Sequence, residues 1–592
     1  MRRVATECGR VVAVFCLLAP VACSRPSGSP TPVPITTSRE LTADQQVRHV
    51  LSRLGYGARP GDFARVRALG VDRWIAAQLQ PEQIADPDLD SALARFPALA
   101  ASQAQVMDVA ADRGVLDKHL RDRRKLLLTG DSLPGSVIRQ MVSADSAAFD
   151  SVNRRSQRFL TDLQIAKVTR AVMSERQLLE VMVDFWENHF SVYAAKGPVR
   201  YYLLGYDRDV IRPHALGAFR DLLRAVARSP AMLYYLDNWQ SGAEPDRPTL
   251  AGFLAQRQAS MERKPIPPRQ FGKPGRGLNE NYARELLELH TVGVNGGYTQ
   301  PDVINVARAL TGWSVKEPEA VGQFVFRPDL HDGGAKSMLG LRIDPGRGLD
   351  EGDAVLDYLA GHPSTARFIA TKLIQRFVSD TAPAALVERA AVRFRETGGN
   401  IREVVRTIVT SPEFFSRAGY RAKVKSPFEL VTTALRALDV SVDSTARVVN
   451  AVAQLGQPLF GHLAPDGYPE RGEEWINTGS ILNRINFGLR VGNAQYPGMH
   501  WQTWLARIGA WQATRSSQVD AILDAVLGGE ASWDTREILK RGVNPLGGMA
   551  APAGNRASGG AQPGPASDPP ADLAGLIRMV GLALGAPEFQ RR

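Results

Sequence analysis

From Leu41 onward the apolar residues of this chain recur at helical spacing, and the runs carry their own start signals. The stretch SERQLLEVMVDFWENHF opens with Ser174 and Gln177, the two ends of a capping box, and continues amphipathically. TQPDVINVARALTGW places Thr299 as cap, Pro301 and Asp302 in the first turn, and apolar residues at 303, 306, 307 and 310. STARFIATKLIQRFVSD repeats the design after His362-Pro363. One interruption reads as β structure: QFVFRPDLHDGGAKSMLGLRI alternates apolar residues on both sides of an Asp-Gly-Gly turn, which predicts a hairpin over 324–341. The predicted fold is mainly α, a large single helical domain with a small β-hairpin insertion and no solenoid-like repeat. At 592 residues, 44% of them hydrophobic, the chain can afford a large core.

That core must hold without covalent help. The three cysteines are Cys8, Cys16 and Cys23, and none follows, so intrachain disulfides and thiol catalysis are excluded from the globular part. Arg2, Arg3 and Arg10 precede the short apolar run VVAVFCLLAPVA, about half the length a membrane span needs, which predicts a signal peptide over 1–22. Cys23 after Ala22 resembles the lipobox of bacterial lipoproteins, which implies lipidation at Cys23; Pro20 departs from the usual leucine of that motif. Residues 23–40, rich in Pro, Ser and Thr, read as a tether, 41–592 as the helical domain, and 547–571 as a disordered Pro/Gly-rich insertion before a last helix. The expected location is outside the cell, anchored through lipid only, or free after secretion. The formal charge is +11, falling to +9 once residues 1–22 are removed, and it is spread without a compact basic patch. Nucleic acid is therefore not the expected partner; anionic envelope polymers are.

Two helical stretches share a layout that invites a chemical reading. In NENYARELLELH, the residues Glu280, Asn281, Arg284, Glu285 and Glu288 fall within an arc of about 140°, and His290 lies among the apolar residues opposite. In VDFWENHF, Asp184, Glu187 and Asn188 share a polar arc with Glu180, and His189 falls on the apolar side. If the two helices pack together, Glu187 facing Glu285 or Glu280 would make a pair of carboxyl groups suited to glycosidic hydrolysis, with Glu288 beside them. Asn188, Glu280, Asn281 and Arg284 would orient substrate. Trp239 and Trp313, with Trp186 and Tyr298, would supply sugar-stacking surfaces. Arg284 should hold the neighbouring glutamates ionised. His331 and Asp332 would close the site or donate metal ligands. His189 and His290 read as buried locks between helices rather than ligands. A Glu-x-His pair on a regular helix points two ways and cannot chelate one ion, so a divalent metal stays open only as an oxygen-rich site. Arg367, Lys372 and Arg376 could meet an anionic substrate. No haem or nucleotide is expected, since Cys-x-x-Cys-His and a phosphate loop are both missing.

Several blocks in order carry a resemblance: LSRLGYGARPGD (51–62), VDFWENHF (183–190), AMLYYLDNWQS (231–241), the long run 279–313, HDGGAK (331–336), the run 359–380, SPEFF (411–415), GQPLF (456–460) and WINTGSILNRINF (475–487). Together they resemble a bacterial, typically exported family catalogued as domain of unknown function 1800. The resemblance implies export and a sulfatase- or phosphatase-like protein as a partner, and it implies no activity. Two functional expectations stand side by side: an enzyme acting on an extracellular or cell-envelope polymer, carbohydrate first, by carboxylate acid/base chemistry; or a non-catalytic envelope lipoprotein that binds or scaffolds a partner.

Overall fold

The computed structural model describes residues 39–129, 135–268, 270–272, 277–442, 446–493, 498–541 and 571–592. The signal peptide, Cys23, nearly all of the tether and nearly all of the 547–571 insertion lie outside the described residues. Those that are described belong to one compact unit. It is mainly α: 24 α-helices and two small antiparallel sheets are found among the described residues. None of these helices is long and apolar enough to cross a membrane.

Apolar stripes become one continuous core. Val303, Val306, Ala307 and Leu310 are fully buried, as their spacing requires, and Thr299 starts their helix, Gln300–Ala309. The Thr299 amide and hydroxyl both donate to Asp302, whose second oxygen accepts from the Leu339 amide at 2.7 Å. A helix cap thus also pins a β-turn.

The helix Gln177–His189 starts differently from expectation. Its N-cap is Arg176, because the Ser174 hydroxyl is already donating to Asp86 at 2.6 Å. The Gln177 amide is spent tying the end of the preceding helix, donating to the carbonyls of Ala171 and Ser174.

The β structure also differs. The two arms of the predicted hairpin do not pair with each other. β1 (Trp313–Lys316) pairs with β2 (Gln323–Phe326), and β3 (Lys336–Met338) pairs with β4 (Leu341–Ile343). The β3–β4 connection is the two-residue turn Leu339-Gly340, with φ of +48° and +87°, the left-handed pair that matches strand twist. The Asp-Gly-Gly segment does another job. Asp332 takes two hydrogen bonds from Arg308 at 2.8 and 3.1 Å, and Lys336 donates to Glu351 at 2.5 Å and to the Asp332 carbonyl. All four of these charged side chains are buried.

Near the C-terminal end, helix Thr478–Gly492 packs on helix Leu573–Gly585 through glycine. A Cβ on Gly581 would lie 2.7 Å from the Gly492 Cα and 2.8 Å from the Gly488 carbonyl oxygen, so the backbones touch.

Candidate functional site

The polar arc of helix Gln177–His189 faces inward. Glu180, Asp184 and Glu187 are each less than a tenth exposed. Lys167, from the preceding long helix Gly135–Met173, reaches between two of them: its Nζ lies 2.8 Å from Asp184 and 2.6 Å from Glu187. Arg376, near the end of helix Pro363–Phe377, donates to Asp184 at 2.8 Å and lies within 3.5 Å of Glu429 and Glu470. Arg592 pairs with Glu429 at 2.8 Å. On the far side, Arg212 binds both Glu180 and Asp207, and Arg170 approaches Asp207 at 3.5 Å.

Six carboxyl groups therefore meet five cations, and one proton would balance them. Its address is Glu187. This carboxyl is pushed up to about 8, first by burial and also by hydrogen-bonded Asp207, against the downward pull of Lys167. With both carboxyls ionised, Glu187 Oε1 would be buried with no donor to accept from. As a carboxylic acid, Glu187 instead donates to Asp207, and the orphan atom is satisfied. Asp184 moves the other way. Burial raises it, but Lys167 and Arg376 outweigh burial and hold it below the usual carboxylate range. Two carboxyls one turn apart, joined through one ammonium, are thus separated into a neutral acid and an anion.

These groups wall a cavity of about 50 Å³, enough for a few water molecules and too small for a sugar ring. Its rim is aromatic. His462 lies 4.7 Å from Tyr468, and Tyr468 lies 5.9 Å from Trp475 (ring centroids); all three line the opening, with Phe460. Asn188 holds this rim in place, donating to the Tyr468 carbonyl at 2.8 Å and accepting from the Tyr468 amide at 2.7 Å.

The second acid-rich helix, Glu280–Glu285 followed by a π-helical turn Leu286–His290, presents its stripe outward. Glu280 and Arg284 both bind Gln300, and Glu288 accepts from the Tyr298 hydroxyl at 3.0 Å. Glu285 and Asn281 line a separate, open groove with Tyr193, Lys196, Tyr235 and Leu463. Glu187 and Glu285 therefore line different hollows, and the segment that contributes His462 to one contributes Leu463 and Pro465 to the other. Arg284 does not decide the state of Glu285: burial, with Glu288, raises that carboxyl against it.

Other expected site residues are placed elsewhere. Trp313 and Trp186 are fully buried in the core and offer no face to a ligand. Trp239 is stacked on Tyr234, centroids 5.2 Å apart, and lines neither hollow. His331 contacts the Thr311 carbonyl at 2.7 Å and Glu351 at 3.3 Å, and Asp332 is engaged by Arg308, so both are internal locks and close neither hollow. Among the described residues no group of three or more His, Cys, Asp or Glu is arranged to hold a metal ion. His189 is buried, with Nε2 at 3.2 Å from the His290 carbonyl, and burial drops His290 to about 3, so it stays neutral.

The sequence reading passed over Lys167, Glu429, Glu470, His462, Tyr468 and Arg592. A usable signal existed for two of them: GQPLF and WINTG bracket a Pro/Gly-rich loop that carries His462 and Tyr468. No curated protein and no solved structure matches the chain. One family, described as a protein of unknown function (DUF1800), matches residues 49–591, nearly the whole length, and the chain belongs to that family.

Proposed function

We propose that the chain is an exported, lipid-anchored protein that acts on an extracellular or cell-envelope polymer, carbohydrate first, by carboxylate acid/base chemistry. One observation carries this reading: Glu187 is kept as a neutral acid at the cavity wall while Asp184, one turn away, is kept ionised. A general acid must hold its proton at neutral pH, and burial, with Asp207, raises Glu187 towards that role. Both carboxyls touch the same ammonium, which places them near the ~5–5.5 Å separation of retaining glycosidases. In this mechanism Glu187 protonates the leaving oxygen and Asp184 stabilises developing positive charge or attacks it. Tyr468, Trp475 and His462 give sugar rings faces to stack on, and the Glu285 groove, with Tyr193, Tyr235 and Asn281, holds the polymer on the other side of the loop. Substrate entry requires the 460–475 segment to swing outward, because the closed cavity admits only water.

That small volume also favours a second reading, a non-catalytic envelope lipoprotein that binds a partner protein, such as one of sulfatase- or phosphatase-like type, with the charges serving as locks. One experiment separates the two. Purified mature protein is incubated with a panel of envelope polysaccharides beside Glu187→Gln and Asp184→Asn. New reducing ends from wild type, reduced at least 100-fold in Glu187→Gln, support the enzyme. Equal product from wild type and Glu187→Gln removes this acid from the mechanism, and no product on any substrate leaves the scaffold.

A further inference from the structure

A second cavity, of about 380 Å³, shares the wall residue Arg592 with the Glu187 cavity but does not include Glu187, and basic side chains outnumber acidic ones in its lining. Its wall is built from helix Ala43–Arg53, the 420–433 segment, the end of helix Arg515–Leu527 and the 588–592 segment. Five of its charged side chains are basic, Arg48, Arg421, Lys425, Arg591 and Arg592, against two acids, Asp524 and Glu588; Arg592 is already paired with Glu429, which leaves four against two. Glu588 is occupied by the Ser532 amide at 2.8 Å and the Thr535 hydroxyl at 3.1 Å. The nearby Glu530 is shared between Arg48 at 3.8 Å, Arg421 at 3.5 Å and the Tyr420 hydroxyl.

Lys425 is the least compensated. Its Nζ is buried, donates to the Phe589 carbonyl at 2.7 Å and lies 4.1 Å from the centre of the Phe589 ring. Among the described residues no carboxylate forms an ion pair with it. This amine is lowered to about 7, first by burial and then by Arg421, with Glu429 pulling the other way and Arg592 and Arg484 adding to the fall. A buried cation without a counter-charge is costly, and a cavity open beside it is where a counter-charge can enter.

We propose that this cavity binds a phosphate monoester, its dianionic head between Arg48, Arg421 and Lys425 and its organic body against Leu51, Phe63 and Phe589. The charge excess selects the head: a carboxylate or a sulfate ester brings one negative charge, a phosphate monoester brings two. Size and lining select the body, since 380 Å³ with an apolar side exceeds what a bare ion fills. This inference goes beyond the polymer-acting reading and does not rest on it.

Isothermal titration calorimetry on the mature protein tests it, with phenyl phosphate, phenyl sulfate and inorganic phosphate as probes at pH 8 in two buffers of different ionisation enthalpy. Phenyl phosphate should bind at least 10-fold more tightly than either other probe and take up close to one proton, because Lys425 is mostly neutral at that pH and charges when the dianion arrives. Arg421→Gln should weaken binding at least 10-fold. Lys425→Arg, whose guanidinium is charged before and after the dianion arrives, should bind without proton uptake. No binding at millimolar concentration, inorganic phosphate or phenyl sulfate binding as tightly as phenyl phosphate, or unchanged proton uptake in Lys425→Arg would overturn it.

Discussion

Asp184 and Glu187 lie one turn apart on one buried helix face, but replacing each by its amide should have opposite results. Asp184 is ionised between Lys167 and Arg376, so Asp184→Asn leaves two buried cations short of a partner and should cost about 3–5 kcal/mol. Glu187→Gln keeps a donor for Asp207 where the acid had one, and it should fold. Its effect is on pH dependence. Glu187 is raised from 4.5 to about 8 in the folded state, so its stabilising contribution is full below pH 4.5 and is lost progressively up to pH 8. Wild type should therefore lose stability relative to Glu187→Gln across that window, by up to about 4 kcal/mol, and run parallel above it. Denaturant melts at pH 4.5, 6, 7 and 8.5 measure the difference; a constant gap would mean that Glu187 is not held neutral. None of this was legible in the residues themselves. Glu187 and Glu285 sit in near-identical acid-rich helices, and what sets them apart is tertiary: Glu187 is buried against Lys167 and Asp207 from other parts of the chain, whereas Glu285 lines an open groove.

At the scale of elements, helix periodicity was readable because it is local, and so was the cap at Thr299; the cap at Ser174 was not, because Asp86, far away in sequence, takes its hydroxyl. Thr299, Asp302 and the apolar set through Leu310 behave as their spacing dictates. Strand pairing was not, since the apolar alternation of 323–326 is equally satisfied by a partner on either side, and Trp313–Lys316 reads as the end of a helix until it pairs. Residues 286–290 form a π-turn rather than the regular helix their spacing predicts, and His290 is buried all the same. The glycine contact between helices Thr478–Gly492 and Leu573–Gly585 was likewise hidden, because Gly488, Gly492, Gly581 and Gly585 matter only as two facing surfaces. Gly581→Leu should force the backbones apart and cost about 1–3 kcal/mol, more than the small gain in helix propensity returns. Thermal melting checks it; a raised Tm would show that the helices do not touch there.

For the whole molecule, the buried charges join segments that are far apart in sequence: 167, 184–187, 207–212, 376, 429 and 592. Such pairs do not add much net stability, because desolvation offsets attraction, but each is expensive to break from one side. Arg592 is the sharpest case. Its backbone pairs with Lys423, its guanidinium sits 2.8 Å from Glu429 and donates to the Arg376 carbonyl, and it is 4% exposed. Glu429 in turn faces Arg376 at 3.4 Å, so removing Arg592 leaves Arg376 to serve both Glu429 and Glu470 while it still shares Asp184 with Lys167. Arg592→Ala should then cost about 3–5 kcal/mol, and because the cost falls on groups shared by segments from residue 184 to 470, it should appear in one cooperative transition rather than as fraying of the C-terminal residues. Differential scanning calorimetry distinguishes these outcomes. A single endotherm shifted down by several degrees fits a network that spans the fold. An unshifted main endotherm would mean that the network closes without this residue.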